Sequence, residues 1–302
     1  MVSSGGKTVR DGDMAVNILI SGLISGSMYA LLAIGFSLIF GVARIVNIAH
    51  TAFYMLAAYC IFFITEKMGL NPVTAMVAAV ILVTLMGLIV YMLFIKPIRE
   101  HEAAVLIGTI ALAIAMQEVM LLLFGGSFRS VPSLIGGYFV LLGVKVFYQQ
   151  LLTFIVVLLA LAAIWILLMK TRLGLAVRST AEDREVANLM GMNESRVTMI
   201  AMGISVGLAA LTGAVVVPLT IVSPFMWTDP LIIMMAVVVL GGLGSIKGSF
   251  VGAYMMGFAE ALVVFLIPKG AFLKGPVALS VMILVLLIRP EGLFGVAFEE
   301  ER

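Results

Sequence analysis

Two carboxylates lie inside apolar segments of this chain, where a charged group needs a specific reason to be present. Glu118 follows Gln117 within residues 104–124, and Glu260 lies within residues 249–267. A charge at the centre of a bilayer costs about 2.5–3.5 kcal/mol on insertion scales. One interpretation is that these side chains line a translocation path and meet an ammonium group there. The other is that they form packing hydrogen bonds to a neighbouring helix, with one carboxyl protonated.

A second polar pair, Asn47 and His50, lies with Arg44 in the segment RIVNIAH between two apolar segments. The spacing of three residues predicts that Asn47 and His50 share one helix face. A lone histidine in an apolar setting is more often a hydrogen-bonded structural group than a ligand. We therefore expect this pair to fix a helix break or a gate. Weaker candidates for the same path are Asn17, Tyr29 and Ser37.

Residues 170–196, called the charged loop below, carry a dense set of charged side chains between two apolar segments. Bilayer hydrocarbon does not accept so many charges, so the sequence predicts a water-exposed loop that is long enough to fold. Its place between two spans favours a docking surface for a partner outside the membrane.

The charged loop contains a helix-start pattern, Thr180–Asp183, with Ser179–Glu182 as an alternative register. These capping boxes predict one helix of about ten residues that ends before Gly191. Its apolar positions fall three and four residues apart, which places them in one stripe. The stripe consists of Val186, Leu189 and Met190.

No catalytic or cofactor motif accompanies these residues. The glycine-rich segment 241–248, GGLGSIKG, lacks the GK[ST] order of a phosphate loop, and it is interpreted as a flexible inner turn. The chain contains no GxSxG or HExxH pattern. The chain has one cysteine, Cys60, which excludes an internal disulfide. It has only two histidines, which argues against a histidine-rich metal site. The net charge of +2 is too small to indicate a nucleic-acid partner.

The composition indicates an all-α polytopic membrane protein in contact with lipid. Hydrophobic residues make up 63% of the chain and charged residues only 11%, against roughly a quarter charged in soluble domains. The apolar residues come in continuous runs without the alternation of barrel strands. Eight or nine spans are predicted, with 230–246 and 276–288 short enough to be broken or tilted. The predicted spans are 16–42, 48–65, 73–95, 104–124, 148–169, 197–218, 230–246, 249–267 and 276–288.

The predicted division of the chain is a polar N-terminal tail (1–13), a transmembrane domain (14–295) and a C-terminal tail (296–302). Basic residues are more numerous on one set of alternate connections, which the positive-inside tendency places in the cytoplasm together with the charged loop. The longest loop on the other side, 125–147, has turn residues between apolar pieces and is expected to form a short hairpin or cap. It is either a landing site for a soluble partner or a plain connection.

Four segments together resemble one family. They are GSMYALLAIGFSLIFGVARIVNIAHTAFYMLAAY (26–59), GLAVRSTAEDREVANLMGMN (174–193), VLGGLGSIKGSFVGAYMMGFAEAL (239–262) and RPEGLFG (289–295). The chain resembles the permease subunits of the branched-chain amino-acid ABC importers, specifically the H-type partner of the two. Thr51 stands where the family commonly has glycine after the histidine.

The resemblance implies a larger assembly in the bacterial inner membrane. Such permeases pair with a second related permease, two cytoplasmic ATPases that bind ATP and Mg, and a periplasmic solute-binding protein. The chain itself would bind no cofactor, and its charged loop would hold the coupling helix. Ala187 and Gly191 match the Ala and Gly of the family's loop. The residues expected to contribute to ATPase coupling are Thr180, Glu182, Asp183, Arg184, Glu185, Ala187, Leu189 and Gly191.

The sequence does not determine which small amphipathic solute is transported. A mildly polar path suits a zwitterion with an apolar side chain or a neutral amide. Branched-chain amino acids lead, and urea, short-chain amides and other amino acids are alternatives used by close relatives. A stand-alone secondary transporter is the alternative of another class, although no internal repeat is evident and only two carboxylates are embedded. No site supports a scaffold or an intramembrane enzyme.

Overall fold

The computed structural model describes residues 11–295. The predicted C-terminal tail and the first ten residues of the predicted N-terminal tail lie outside the described residues. The α-helices of this range are α1 (Asp11–Ala43), α2 (His50–Phe62), α3 (Pro72–Val90), α4 (Glu102–Phe124), α5 (Tyr148–Lys170), α6 (Arg172–Glu182), α7 (Arg184–Leu189), α8 (Glu194–Val216), α9 (Thr228–Gly241), α10 (Ile246–Leu266) and α11 (Lys274–Ile288). The strands are β1 (Tyr138–Leu141) and β2 (Val144–Phe147). Short π or 3-10 turns cover Phe63–Lys67, Tyr91–Ile95, Lys96–Ile98, Val217–Leu219 and Gly270–Leu273.

The prediction of an all-α polytopic membrane protein is confirmed. Within residues 11–295, seven helices are long and apolar enough to cross a membrane. They are α1, α3, α4, α5, α8, α10 and α11, some of them lengthened by an adjoining short turn. The other two predicted spans correspond to α2, with 13 residues, and α9, with 14. The last predicted span begins earlier than expected, at Gly270, and reaches 19 residues.

Side chains in the connections determine where several helices begin. Asn71 accepts a hydrogen bond of 2.9 Å from the Val73 amide, and Pro72 follows it at the first helical position of α3. Asn193 caps α8 and Ser245 caps α10 in the same way. Each cap satisfies an amide that has no partner inside its helix, so the boundaries follow local chemistry as well as hydropathy.

α1 lies at the centre of the bundle and packs most extensively against α10, then against α8, α5 and α9. The backbones of α1 and α10 come into close contact at Gly26 and Gly257. A Cβ added to Gly257 would lie 2.4 Å from the backbone nitrogen of Gly26. Small residues allow such close backbone contact. Within a membrane the hydrophobic effect does not drive helices together, so close packing of this kind stabilises their association. The glycine pair Gly22–Gly26, spaced by four, therefore forms part of the central helix contact.

α4, α5 and α11 lie at the periphery and expose large apolar side chains. Leu122 and Leu123 of α4 are exposed, as are Leu287 and Ile288 of α11. In water so much exposed apolar surface would favour aggregation. Bilayer hydrocarbon or another membrane subunit must cover these faces.

The loop 125–147 contains the expected hairpin. β1 and β2 pair antiparallel, with Leu141 opposite Val144. An isolated bridge between Arg129 and Val222 joins the start of this loop to the connection between α8 and α9. Its use as a landing site stays a prediction.

The hairpin turn consists of Leu142, with φ 50°, and Gly143, with φ 88°, and each strand ends directly beside it. The hairpin is held to the bundle by Gln149, the second residue of α5, whose Oε1 accepts a hydrogen bond of 2.9 Å from the Leu134 amide.

The glycine-rich segment 241–248 is closely packed, so the expectation of a flexible inner turn is wrong. A Cβ added to Gly248 would lie 1.9 Å from the carbonyl oxygen of Gly241. The amides of Leu293 and Phe294 donate to the carbonyls of Leu240 and Gly241, at 2.9 and 3.0 Å. The RPEGLFG segment thereby satisfies carbonyl groups at the end of α9 that lack helical partners.

Candidate functional site

The charged loop folds into two helices, and the prediction of one helix of about ten residues is wrong. The break lies at Asp183, which has extended backbone angles of φ −147° and ψ 115°. Its Oδ1 accepts a hydrogen bond of 3.0 Å from the Val186 amide and so caps α7. The capping residue is therefore the acid at the end of the predicted Thr180–Asp183 box, in place of the threonine at its start. Thr180 is instead a buried residue within α6.

α7 ends at Leu189, shortly before Gly191, as the sequence predicts. Gly191 has φ +84°, which glycine adopts without steric cost. The Met192 amide donates to the Ala187 carbonyl at 3.0 Å, and the Gly191 amide donates to the Asn188 carbonyl at 2.9 Å. This pair of bonds is the Schellman arrangement, which closes the helix firmly.

The predicted apolar stripe of α7 is exposed. The exposed fractions are 52% for Val186, 86% for Leu189 and 76% for Met190. Ala187, on the other side of the helix, is only 4% exposed and faces the bundle. Since no described residue covers the stripe, α7 presents an apolar surface to whatever lies beyond the chain.

Arg184 attaches α7 to the bundle. Its Nε donates a hydrogen bond of 3.0 Å to the Val42 carbonyl in the last turn of α1. Its Nη1 lies 3.8 Å from Oε1 of Glu194, the first residue of α8, and Nη1 of Arg99 lies 3.5 Å from the same oxygen. Burial lowers the pKa of the Arg184 guanidinium, and the Glu194 carboxylate opposes that shift. The contacts link α7 to both spans and to the segment after α3.

A second arginine supports the neighbouring helix. Arg44, directly after α1, has φ 52° and donates from Nη2 to the Ala181 carbonyl near the end of α6, at 3.1 Å. α6 itself starts close to α5, because a Cβ on Gly174 would lie 2.3 Å from the Leu167 carbonyl oxygen. Both helices of the charged loop are thus fixed to the ends of spans.

The residues predicted for ATPase coupling fall into three groups. Thr180 and Ala187 are buried, and the Thr180 hydroxyl has no hydrogen-bond partner within the described range. Arg184 is partly exposed and engaged with its own chain. The exposed members, which are free to meet a partner, are Glu182, Asp183, Glu185, Leu189 and Gly191.

Asn47 and His50 do not share a helix face, and that prediction is wrong. α1 ends at Ala43, residues 44–49 form an irregular connection with a turn, and α2 begins only at His50. Asn47 therefore lies in the connection, where its carbonyl accepts the His50 amide at 3.2 Å. The left-handed backbone at Arg44 stops the helix early. The expected helix break is present at this place.

The His50 side chain is buried between α1, α2 and α8. Its Nε2 lies 3.2 Å from the Leu32 carbonyl oxygen, and its Nδ1 lies 3.3 Å from the Ser205 hydroxyl. A carbonyl oxygen only accepts, so Nε2 carries the proton of this bond and Nδ1 accepts from Ser205 in the neutral imidazole. Ser205 was not predicted, because nothing in the local pattern around it indicates a histidine partner.

Asn47 is also buried, but it is less well satisfied. Its Nδ2 lies 4.0 Å from the Met202 sulfur, a weak contact, and its Oδ1 has no hydrogen-bond partner in the described part of the chain. Buried polar atoms without partners are uncommon and destabilising. At the junction between α1 and α2, the Asn47 side-chain oxygen can therefore still accept a hydrogen bond.

Glu260 is buried and paired with residues of two other helices. Tyr29 of α1 donates a hydrogen bond of 2.5 Å to Oε2, and Lys274, the first residue of α11, forms a salt bridge with Oε1. Tyr29 was a weaker candidate in the sequence, and Lys274 was not anticipated. These contacts hold neighbouring helices together. The positive charge of Lys274 offsets the free-energy cost of burying the Glu260 carboxylate.

Glu118 lies in a different setting, because its side chain is exposed on α4. Gln117 links it to the rest of the bundle: its Nε2 donates to Glu118 at 3.2 Å, and its Oε1 accepts from the Trp227 indole at 2.9 Å. The described contacts do not join Glu118 to Glu260. The two carboxylates therefore belong to separate places in the fold.

No group of three or more His, Cys, Asp or Glu side chains within residues 11–295 is arranged to hold a metal ion. The polar features of this range are the charged loop, the His50 junction and the two separate carboxylates. Together they offer attachment and hydrogen bonding.

The chain has close relatives among transport permeases. The high-affinity branched-chain amino acid transport system permease protein BraD of Pseudomonas aeruginosa is 32% identical over 292 residues, covering 92% of this chain and 94% of that protein. The corresponding protein LivH of Escherichia coli (strain K12) is 30% identical over 296 residues, with the same two coverages of 92% and 94%.

The family described as branched-chain amino acid transport system / permease component matches residues 18–288. This match includes the charged loop, the His50 junction and both carboxylates. The chain belongs to that family of membrane permeases.

Proposed function

We propose that this chain is the transmembrane permease subunit of an ATP-driven ABC importer. The observation that carries the proposal is the placement of α7. Its apolar stripe is exposed, while Arg184 connects the same helix to the ends of α1 and α8. A partner that grips the stripe therefore transmits force to two spans through short, charge-assisted contacts.

The proposal assigns α7 as a cytoplasmic coupling helix and residues 170–196 as the coupling loop of the domain 14–295. The seven long helices, with α2 and α9 as shorter membrane elements, make nine membrane segments. The excess of basic residues on the side of the charged loop favours a cytoplasmic position for it. A bacterial inner-membrane location accords with the relatives that belong to the same family.

The proposed partners are two cytoplasmic ATPases, a second related permease and a periplasmic solute-binding protein. ATP and Mg would be bound by the ATPases, since this chain has no phosphate loop. The ATPases would dock on the stripe of α7 and the acids beside it. The second permease would cover part of the exposed apolar surface of the peripheral helices.

The proposed path passes the junction between α1 and α2. His50 and Asn47 lie at a helix break, where irregular backbone is tolerated in a membrane only if protein or a cavity surrounds it. Glu118, which is exposed, is the second candidate for the path. Glu260 is assigned mainly to packing because Tyr29 and Lys274 already occupy its oxygens.

Branched-chain amino acids are the proposed cargo. The names of the two relatives support this assignment, since both describe branched-chain amino acid transport. The apolar character of the bundle suits a small zwitterion with an apolar side chain. Urea, short-chain amides and other amino acids are distinguished by measuring which solutes the binding protein binds.

The test is ATPase activity of the purified complex in lipid discs, with and without solute-loaded binding protein. Loaded binding protein should raise ATP hydrolysis. Leu189→Asp should abolish this response and reduce ATPase co-purification, whereas Leu175→Asp, at an exposed leucine on α6, is the matched control. If solute uptake persists in cells that lack both ATPases, the chain is a secondary transporter and the proposal is wrong.

A further inference from the structure

A polar cavity of about 240 Å³ lies beside the charged loop, where three spans end. Its lining includes Ala43 at the end of α1, Glu194 at the start of α8 and Arg184 of α7. Tyr91, Arg99 and Glu100, from the end of the α3 span and the turn after it, complete the polar part. The cavity therefore lies at the level where apolar helices give way to charged connections.

Hydrogen-bond donors in this cavity lack a sufficient acceptor. One oxygen of Glu194 serves both Arg99 and Arg184, at 3.5 and 3.8 Å. Both distances exceed the roughly 2.7–2.9 Å of a close charge-assisted hydrogen bond. The Nη2 atom of Arg184 is buried without a hydrogen-bond partner in the described residues. A guanidinium has only donors, so this atom requires an acceptor.

Tyr91 gives a second, independent indication of a missing ligand. The residue is 1% exposed, and its hydroxyl makes no hydrogen bond of good geometry within residues 11–295; the adjacent Arg99 guanidinium is itself a donor that needs an acceptor. An unsatisfied buried hydroxyl is destabilising, so such groups usually contact water or a ligand. Tyr91 and Arg184 come from different elements and line one cavity.

We propose that this cavity binds a phosphate group, carried either by an anionic phospholipid headgroup or by free inorganic phosphate. Guanidinium groups match phosphate oxygens in geometry and charge. The cavity volume is several times the roughly 30 Å³ that one water occupies, which leaves room for a tetrahedral oxyanion. Basic pockets between helices at the cytoplasmic side of a membrane are suited to lipid phosphates.

The charges around the site are compatible with an anion. Arg44 adds a third positive charge close to Arg184, whereas Glu100 and Glu194 are the acids of the lining. A bound phosphate would bridge Arg99 and Arg184 more closely than Glu194 does. It would then hold α7 against the end of α3. That consequence rests on the proposed function of α7, whereas the binding itself does not.

The test measures phosphate binding to the purified full-length chain, independently of any ATPase. In one arm, inorganic phosphate is titrated into delipidated protein in detergent and followed by ³¹P NMR line broadening. In the other, native mass spectrometry counts phosphatidylglycerol retained from mixed discs of phosphatidylglycerol and phosphatidylcholine. Binding in the first arm identifies free phosphate, and selective retention in the second identifies a lipid headgroup.

Three variants locate the site. Arg99→Gln should weaken binding about tenfold, and Tyr91→Phe about threefold, because each removes donors to the phosphate. Tyr91→Phe retains the ring and removes a hydroxyl without a partner, so it should fold normally. Arg178→Gln removes an exposed charge outside the cavity and should leave binding unchanged. Absence of binding in both arms, or equal losses in Arg99→Gln and Arg178→Gln, overturns the proposal.

Discussion

The Nε atom of Arg184 donates a 3.0 Å hydrogen bond to the carbonyl oxygen of Val42, which joins the short helix α7 to the last turn of α1. Carbonyl groups at a helix end lack partners within the helix, so this bond is both structural support for α1 and an attachment for α7. Because a single side chain makes this link, a movement of α7 is passed directly to the end of α1.

Arg184→Lys should uncouple α7 from the spans without removing its charge. Lysine lacks the planar fork that reaches Val42 and Glu194 together, so the attachment loosens while the exposed stripe is unchanged. We expect the ATPases to co-purify normally, with stimulation by loaded binding protein reduced about fivefold, equivalent to about 1 kcal/mol. Arg178→Lys, at an exposed position, is the control. Full stimulation in Arg184→Lys would contradict this role.

Ala187→Leu should displace α7 and release the ATPases. Ala187 is 4% exposed and faces the bundle, so three added carbons have to push the helix outward. Overpacking of this kind costs about 1–3 kcal/mol. The measurement is the amount of ATPase recovered with affinity-purified permease, at equal membrane insertion. Leu175→Phe also adds three carbons, at an exposed position of α6 outside the stripe, and should retain the ATPases. Equal recovery in the two variants would show that Ala187 is not the anchor of α7.

Gly191→Val should open the end of α7 even though there is space for the side chain. No heavy atom lies within 4 Å of a Cβ added there, so the penalty comes only from φ +84°. A left-handed conformation costs about 1–2 kcal/mol for an ordinary residue and more for a β-branched one. Hydrogen exchange at the Met192 amide should become faster, and Gly191→Asn should change it less. Unchanged exchange in Gly191→Val would rule out the proposed strain.

The positions of the membrane helices were predictable because long apolar runs are bounded by charged residues. α5, for example, was expected at 148–169 and covers Tyr148–Lys170. The end of α7 was equally predictable from the sequence, since Gly191 is a local signal for helix termination. Local patterns failed at Asp183, because the starting residues of both predicted capping boxes lie within α6 and Asp183 caps α7 instead.

Long-range pairs in the candidate site were beyond local patterns. Tyr29 and Glu260 are 231 residues apart in sequence, and Ser205 and His50 are 155 apart. Each residue alone indicates only a polar group in an apolar segment. Their partners depend on how α1 packs against α10 and how α2 packs against α8, which periodicity does not determine.

Glu260→Gln should destabilise the bundle, whereas Glu118→Gln should not. The Glu260 change removes a salt bridge to Lys274 in a buried place while leaving an acceptor for Tyr29. Because the Lys274 side chain is 44% exposed, we expect a loss of about 1–2 kcal/mol, below the range for a fully buried pair. Thermal unfolding in detergent measures it. Glu118 is exposed, so its variant should unfold at the wild-type temperature and affect only uptake. Equal unfolding temperatures for both variants would argue against a structural role for Glu260.

Gly257→Ala should strongly destabilise the contact between α1 and α10. Its Cβ would lie 2.4 Å from the Gly26 nitrogen and 2.7 Å from the Gly22 carbonyl oxygen, both backbone atoms that cannot rotate away. α1 and α10 would have to separate along the central contact of the fold, and the loss of packing should cost about 3 kcal/mol or more. The measurement is the thermal unfolding temperature together with the yield of monodisperse protein. Gly275→Ala, where no atom lies within 4 Å, adds the same methyl group to α11 and should be neutral. If Gly257→Ala is as stable as Gly275→Ala, the backbone contact between α1 and α10 is not what holds the centre of this permease together.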